Sequence, residues 1–332
     1  MKIIGRILIG GALLLAVLAG LGAFLLYTRT PAEPALRGEF QNRSLKVGER
    51  ERSYLVYSPA RAPPRPALLV VFHGSMGSPH AIRIQSGFEF DRLAEANGFI
   101  VAYPQGYEGY WNDCRTAAHY SARRLAIDDV GFFEAMIADL LETRGIDPDR
   151  VYVVGASAGG HMVYRLALER PRIVAGAAVF AANLPTPENL DCEQEDVPPP
   201  VMIVNGTRDP INPDQGGDVT LFGMDSRGSV RSTPATAAFF ARARGSEGPD
   251  VDTLGSGGFL RAGPVERTVW RDQNGRPDVV LLSVIGGGHV IPQPVYRPRP
   301  LLGRSTRAIN GPSEAWRFFA SLPRRSVDLD GQ

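Results

Sequence analysis

Val151-Tyr152-Val153-Val154-Gly155-Ala156-Ser157-Ala158-Gly159-Gly160 is the stretch that decides how this chain is read. A β-branched apolar run stops in Gly-Ala-Ser-Ala-Gly, and a helical pattern from His161 to Leu168 follows at once. The segment therefore reads as strand, sharp turn and helix, with a serine at the turn. G-x-S-x-G in that context is a nucleophile elbow. The turn forces the serine into an unfavourable backbone region, and its neighbours must be small to allow close approach. Gly155 and Gly159, two residues to either side, meet that need. The helix N-terminus beneath the serine favours a developing anion. Five-residue matches arise by chance, so the reading depends on partners elsewhere in the chain.

Those partners lie at the ends of other apolar runs. Ala67–Phe72, Phe99–Tyr103, Val151–Val154, Ile173–Phe180 and Val201–Val204 are continuous apolar segments, as expected of strands buried on both faces. Helical patterns alternate with them: 79–97, a helix capped by Asp128 or Asp129 and running to Arg144, one opened by Thr233 as N-cap with Pro234 at N1, and 312–322. Arg267–Arg271 and Asp278–Ile285 flank Gln273-Asn274-Gly275 as a hairpin. Alternating strands and helices imply a mostly parallel sheet covered on both faces, with its site at the carboxyl ends of the strands.

A serine hydroxyl needs a positioned base, and the base needs a carboxylate to fix its tautomer. Of five histidines, His289 follows a buried run and three glycines, which let a loop carry the imidazole back over the serine. His161, four residues after Ser157, belongs to packing; His80 and His119 have no flanking signal. Asp209 follows the run Val201–Val204; Asp214 and Asp218 lie further from the strand end. The order Ser157, Asp209, His289 is the one this sheet topology expects. The oxyanion donors are then the amide of Ala158 and one from His73-Gly74-Ser75-Met76, with Ser75 preferred to Met76.

The 332 residues fit one large α/β domain, with 44% hydrophobic and 21% charged residues and a net charge of +1. That balance carries no nucleic-acid footprint, and no metal or cofactor motif is found. Lys2 and Arg6 precede an uncharged run, Ile7–Leu26, long enough to cross a bilayer. Residues 1–26 therefore read as a signal anchor, or alternatively a cleaved signal peptide, and the remainder as exported to the periplasmic or extracellular side. Residues 27–39 form a linker, 40–323 the catalytic domain and 324–332 a C-terminal tail. Cys114 and Cys192 form no C-x-x-C motif. They are two free buried thiols or, in an oxidising compartment, one disulfide.

Taken together, Val-Val-Phe-His-Gly (70–74), Tyr-Pro-Gln-Gly (103–106), Trp-Asn-Asp-Cys-Arg (111–115), Ile-Asp-Asp-Val-Gly-Phe (127–132), the elbow, Asn-Gly-Thr-Arg-Asp (205–209) and Gly-Gly-Gly-His (286–289) resemble the polyhydroxybutyrate depolymerase-like esterases. These are similar to feruloyl and acetyl-xylan esterases. The resemblance implies an α/β-hydrolase fold and a secreted serine esterase with Ser157, Asp209 and His289 as its triad. Two departures stand out: Asn205 replaces the family's histidine before Gly-Thr, and Val290-Ile291 replaces Thr-Trp after His289.

The expected activity is hydrolysis of small or oligomeric carboxylic esters (polyhydroxyalkanoate oligomers, feruloyl, acetyl or other short-acyl esters). A peptidase or amidase on the same fold, and a tethered binding protein without catalysis, are the alternatives. The long irregular segment 104–127 offers Trp111 and Tyr110 as substrate contacts or, equally, as plain packing, and Met76 beside the oxyanion loop as a further contact. Residues 244–264, rich in glycine and charge, are either disordered or a lid.

Overall fold

In a computed structural model of the chain, residues 2–256 and 262–324 are described, apart from the side chains of residues 2–10 and 12–14. Strands β1 (Glu39–Val47), β2 (Arg50–Ser58), β3 (Leu68–Phe72), β4 (Ile100–Pro104), β5 (Val151–Ala156), β6 (Gly176–Phe180), β7 (Val201–Gly206), β10 (Glu247–Leu254), β11 (Val265–Arg271) and β12 (Pro277–Val284) form one sheet. Its order is β1-β2-β4-β3-β5-β6-β7-β12-β11-β10. Strands β8 (Gly217–Asp218) and β9 (Ser229–Val230) pair separately as a short ribbon. The six strands from β4 to β12 in that order are parallel, and antiparallel strands extend each side.

The parallel strands are the continuous apolar runs. Alternate residues feed two cores because successive side chains point to opposite faces. Leu68, Val70, Phe72, Val153 and Ile203 pack against α5 (Asp129–Arg144), α6 (Ala158–Glu169) and α7 (Thr233–Arg244). Leu69, Val71, Val101, Val154 and Val204 pack beneath α3 (Glu89–Asn97) and α8 (Gly311–Ser321). Registers Phe72↔Gly155, Ala156↔Phe180, Phe180↔Val204 and Gly206↔Val284 align the carboxyl ends in one row. The loops carrying Ser75, Ser157, Asp209 and His289 all leave from that row.

Several sequence expectations are corrected. The helix expected over 79–97 is two, α2 (Pro79–Gln85) and α3, because Gly87 and Phe88 take left-handed backbone at φ 69° and 58°. Ser232, not Thr233, caps α7 by accepting from the Ala235 amide at 3.2 Å. Asp128 caps α5, whereas Asp129 is buried, bonded to Arg52 Nη2 at 2.6 Å and to the Asn112 amide at 2.6 Å. Residues 247–254, neither lid nor disordered, form the edge strand β10; residues 257–261 of that segment lie outside the described residues.

Helix α1 (Lys2–Leu26) precedes an extended linker, whose Arg29 pairs antiparallel with Arg297 through amide–carbonyl bonds of 3.2 and 3.3 Å. Among the described residues no helix is long and apolar enough to cross a membrane. The backbone of residues 2–26 is helical, but residue 1 and the side chains of residues 2–10 and 12–14, on which part of the expectation for residues 1–26 rests, lie outside the described set, as does the tail beyond 324.

Candidate active site

Ser157 joins β5 to α6 with φ 55° and ψ −122°, a conformation that costs about 1–3 kcal/mol for a non-glycine residue. The turn is held from both sides: the Ser157 amide donates to Phe180 O at 2.9 Å, and Ser157 O accepts from the His161 amide at 3.1 Å. The glycines are steric requirements. A Cβ on Gly155 would lie 2.1 Å from Gly159 O, and one on Gly159 would lie 2.3 Å from Phe72 O. Both obstacles are backbone and cannot swing aside. The helix thus starts hard against the ends of β5 and β3, leaving Ser157 half-exposed above them.

Asp209 and His289 meet across the ends of β7 and β12, with His289 Nδ1 2.7 Å from Asp209 Oδ2. A carboxylate oxygen accepts, so Nδ1 carries the proton and Nε2 keeps its lone pair. Asp209 Oδ1 accepts from the amides of Ile211 and Asn212, each at 2.8 Å, so the carboxylate is anchored at both oxygens. The two loops are stitched together: Arg208 N donates to Gly287 O at 2.8 Å and Gly286 N to Thr207 Oγ1 at 2.8 Å. His289 N donates in turn to Leu302 O at 2.7 Å. The competing acids are engaged elsewhere, Asp214 with Gln215 and Asp218 with Ser226 and Ser229. Among the described residues, Ser157 Oγ has no protein hydrogen-bond partner.

The loop after β3 passes directly over the serine. A Cβ on Gly74 would sit 3.4 Å from Ser157 Cβ and 4.0 Å from its Oγ. Among the described residues, the amides of Ser75 and Met76 find no protein acceptor. His73 shapes this loop. Its Nε2 accepts from the Gly106 amide at 3.0 Å, so the ring proton is on Nδ1, which donates to Gly74 O at 2.7 Å. Burial depresses His73 from the ordinary 6.5 to about 4, against the upward pull of the Gly74 carbonyl. The folded chain then binds fewer protons than the unfolded chain between those values. His73's contribution to stability is complete above pH 6.5 and is lost as pH falls toward 4. Denaturant unfolding at pH 7, 6, 5 and 4 should show stability falling on acidification. In His73→Asn the slope should be shallower by up to about 1.4 kcal/mol per pH unit in that window.

Trp111 is not at the substrate surface. Its ring is wholly buried, edge-on to Phe72 at 5.2 Å, and its indole N–H donates to His73 O at 2.8 Å. It supports the loop after β3 from below. Tyr110 is half-exposed and stacks on Tyr120 at 4.6 Å; Met76 is 71% exposed. Cys114 and Cys192 are joined by a disulfide, Cα–Cα 5.1 Å, which ties the 104–127 segment to the loop after β6. On either side of Cys114, Asp113 and Arg115 form a buried bidentate pair, Nε–Oδ1 3.0 Å and Nη2–Oδ2 2.5 Å. Burial raises the Asp113 carboxyl, but Arg115 outweighs it and holds the group below its usual range. His161 lies buried in electrostatic reach of this pair and of His289. Burial first, and Arg115 second, keep it neutral.

Two features escaped sequence reasoning. Asn205, where the resembling family has histidine, is a buried junction: its Oδ1 accepts from Ala182 N at 3.2 Å and its Nδ2 donates to Asn183 Oδ1 at 2.7 Å and Thr233 Oγ1 at 3.1 Å. It binds the ends of β6 and β7 to the start of α7. The other is Tyr120, just before the short helix α4 (Ser121–Arg124), whose hydroxyl links Ser75 to Arg227. The buried polar residue at a strand end was the available signal for Asn205; Tyr120 had none.

Comparison with known proteins agrees with this architecture. Residues 53–226 match the model of the dienelactone hydrolase family. The chain is 30% identical over 306 residues to the protein named "Putative esterase NocK" from Nocardia uniformis subsp. tsuyamanensis, covering 87% of this chain and 86% of that one. It is 26% identical over 303 residues to the poly(3-hydroxybutyrate) depolymerase of Ralstonia pickettii, covering 84% of this chain but 60% of that enzyme. Among solved structures, the acetyl xylan esterase of Aspergillus awamori superposes with a TM-score of 0.53 at 18% identity, over 84% of this chain and 99% of that one. This last likeness is one of fold.

Proposed function

We propose, for a chain that belongs to the dienelactone hydrolase family, that it is an exported serine esterase hydrolysing carboxylic esters through an acyl-enzyme. The observation carrying the proposal is the Asp209–His289 contact of 2.7 Å, on the same row of strand ends as the strained Ser157. An imidazole with Nδ1 held by a carboxylate presents a basic Nε2, which is what a serine nucleophile requires.

In this reading Ser157 Oγ attacks the ester carbonyl carbon and His289 Nε2 takes its proton. The oxyanion accepts from the Ala158 and Ser75 amides. Collapse of the tetrahedral intermediate breaks the bond to the alcohol oxygen, which leaves with the proton returned by His289. Water, deprotonated by the same nitrogen, then releases the acid and regenerates Ser157. Asp209 stays ionised throughout and stabilises the imidazolium.

Relatives named for esterase, acetyl xylan esterase and poly(3-hydroxybutyrate) depolymerase activity favour ester over amide chemistry. We assign the chain short-acyl esters or polyester oligomers as substrates. Export is supported by the apolar run behind Lys2 and Arg6 and by the Cys114–Cys192 disulfide, since such bonds persist in oxidising compartments. In that reading residues 1–26 hold the enzyme at the membrane, with 40–323 as its catalytic domain.

Turnover of p-nitrophenyl acetate, butyrate, octanoate and laurate, measured beside p-nitroacetanilide, tests the assignment. The expected order is acetate and butyrate above the long chains, with the anilide at least about 10³-fold slower than acetate in kcat/KM, since amide hydrolysis makes a further demand on leaving-group protonation. A chain that cleaves the anilide as fast as the ester is an amidase, and one that cleaves neither and resists a fluorophosphonate is not a serine hydrolase.

A further inference from the structure

The Ser75 side chain has hydrogen-bonding partners that fix the direction of its own proton. Arg227 Nε lies 2.7 Å from Tyr120 Oη, and Tyr120 Oη lies 3.1 Å from Ser75 Oγ. A guanidinium N–H only donates. Arg227 therefore occupies a lone pair of the tyrosine oxygen, and the phenolic proton must go elsewhere. Ser75 Oγ is the other partner, so Tyr120 donates to Ser75. Were Ser75 the donor instead, the tyrosine oxygen would accept twice and its own proton would have no acceptor among the described residues. The remaining direction leaves the Ser75 proton unused by Tyr120, on a half-exposed residue in the loop that crosses Ser157.

We propose that the Ser75 hydroxyl is a third donor to the oxyanion, set and polarised by Arg227 through Tyr120. The inference rests on the triad reading above and adds a catalytic group to it, with Tyr120 and Arg227 as positioning residues. The chain of donors is Arg227 N–H to Tyr120 O–H to Ser75 O–H to the substrate oxygen, charged at its far end. Such chains strengthen each successive bond, and a charge-assisted donor is the strongest kind.

The middle of the relay is held on every side. Tyr120 stacks on Tyr110 at 4.6 Å, and the guanidinium carbons of Arg227 and Arg115 each lie 5.5 Å from its ring centre. Arg227 is fixed by Asp225, through its Oδ2 at 2.8 Å and its carbonyl at 2.7 Å. Arg115 is fixed by Asp113 next to the disulfide. The relay therefore joins the β3 loop, the 104–127 segment and the 210–230 segment at one hydroxyl. An ordinary surface serine needs none of this.

The test is a double-mutant cycle of Ser75→Ala and Tyr120→Phe with p-nitrophenyl acetate, alongside melting temperatures and inhibition by a trifluoromethyl ketone that forms the tetrahedral adduct. Loss of one oxyanion donor typically costs about 10²–10³ in rate, and a third donor beside two amides is expected to cost less, about 10–100-fold in kcat. KM should stay within about twofold, the ketone should weaken in parallel with kcat, and the double variant should match the worse single variant. Ser75→Thr, which keeps the hydroxyl, should recover most of the rate; Arg227→Gln should fall between wild type and Tyr120→Phe.

Ser75→Ala within about threefold of wild type overturns the proposal. So does a kcat loss in Ser75→Ala without one in Tyr120→Phe, or additive effects in the cycle. A rate loss that follows the melting temperature and leaves ketone affinity unchanged assigns the network to packing alone, which also refutes it. If Ser75→Ala does not fold, Tyr120→Phe and Arg227→Gln carry the same test. Fluorophosphonate labelling of Ser157 separates the two readings, since a chain that labels there and ignores Ser75→Ala keeps its triad and loses only the relay.

Discussion

Ser157→Ala should lower kcat for p-nitrophenyl acetate by about 10⁴–10⁶-fold and abolish fluorophosphonate labelling, with the fold intact. The size follows from the position of the residue: the half-exposed Ser157 is the side chain presented by the β5–α6 turn, at the N-terminus of α6. The residual rate would come from the amides and from substrate binding, which survive loss of the nucleophile. Stability gives an independent check. Ser157 sits at φ 55°, where glycine is unstrained. Ser157→Gly should therefore unfold at higher denaturant than wild type, by about 1 kcal/mol, while being equally inactive. An alanine variant retaining more than about 1% of wild-type kcat would place the nucleophile elsewhere.

Asp209→Asn should cost about 10⁴-fold in kcat at pH 7, again with little effect on KM. The asparagine retains an oxygen for the Ile211 and Asn212 amides, so the loop keeps its shape. Its amide nitrogen then faces His289 Nδ1, and two donors cannot share that contact. The imidazole moves its proton to Nε2 and is no longer a base toward Ser157. A loss of less than about tenfold would point to Asp214 or Asp218 as the acid. Their present partners argue against either, because each lies in side-chain bonds of its own loop.

The parts of the site that could be read from sequence share one property: each lies just past an apolar run. Ser157, Asp209, His289 and the His73–Met76 loop are marked by where the β-branched residues stop, and sheet register converts those four stops into one neighbourhood. Side chains that meet through irregular backbone left no such mark. Tyr120 and Arg227 are 107 residues apart, and neither flanks an element that periodicity detects. Trp111 was open between substrate contact and packing for a related reason. An aromatic residue in a long loop suggests a surface for substrate, and only its bond to the His73 carbonyl shows that the loop is folded inward. β10 was hidden because an exposed edge strand shows neither a continuous apolar run nor alternation; seven of its eight residues face solvent. The two-helix break at Gly87-Phe88 was open to reading from the glycine, but helical spacing continued across it.

The disulfide has a topological meaning beyond anchoring a loop. Its 78-residue separation closes a covalent ring around α5, β5, the elbow, α6 and β6. Ser157 is inside the ring, and Asp209 and His289 are on the thread that leaves it. Both thiols emerge from the ribosome before either of those two residues. In the proposed mechanism the ring can therefore be sealed before Asp209 and His289 are in place, when Ser157 is a plain hydroxyl with nothing to activate it. In the chain-entropy model a ring of that size narrows the unfolded ensemble by about 4.5 kcal/mol. The constraint falls on the part of the sheet that holds β5 and β6, and in the proposed mechanism reactivity requires β7 and β12 to dock beside it.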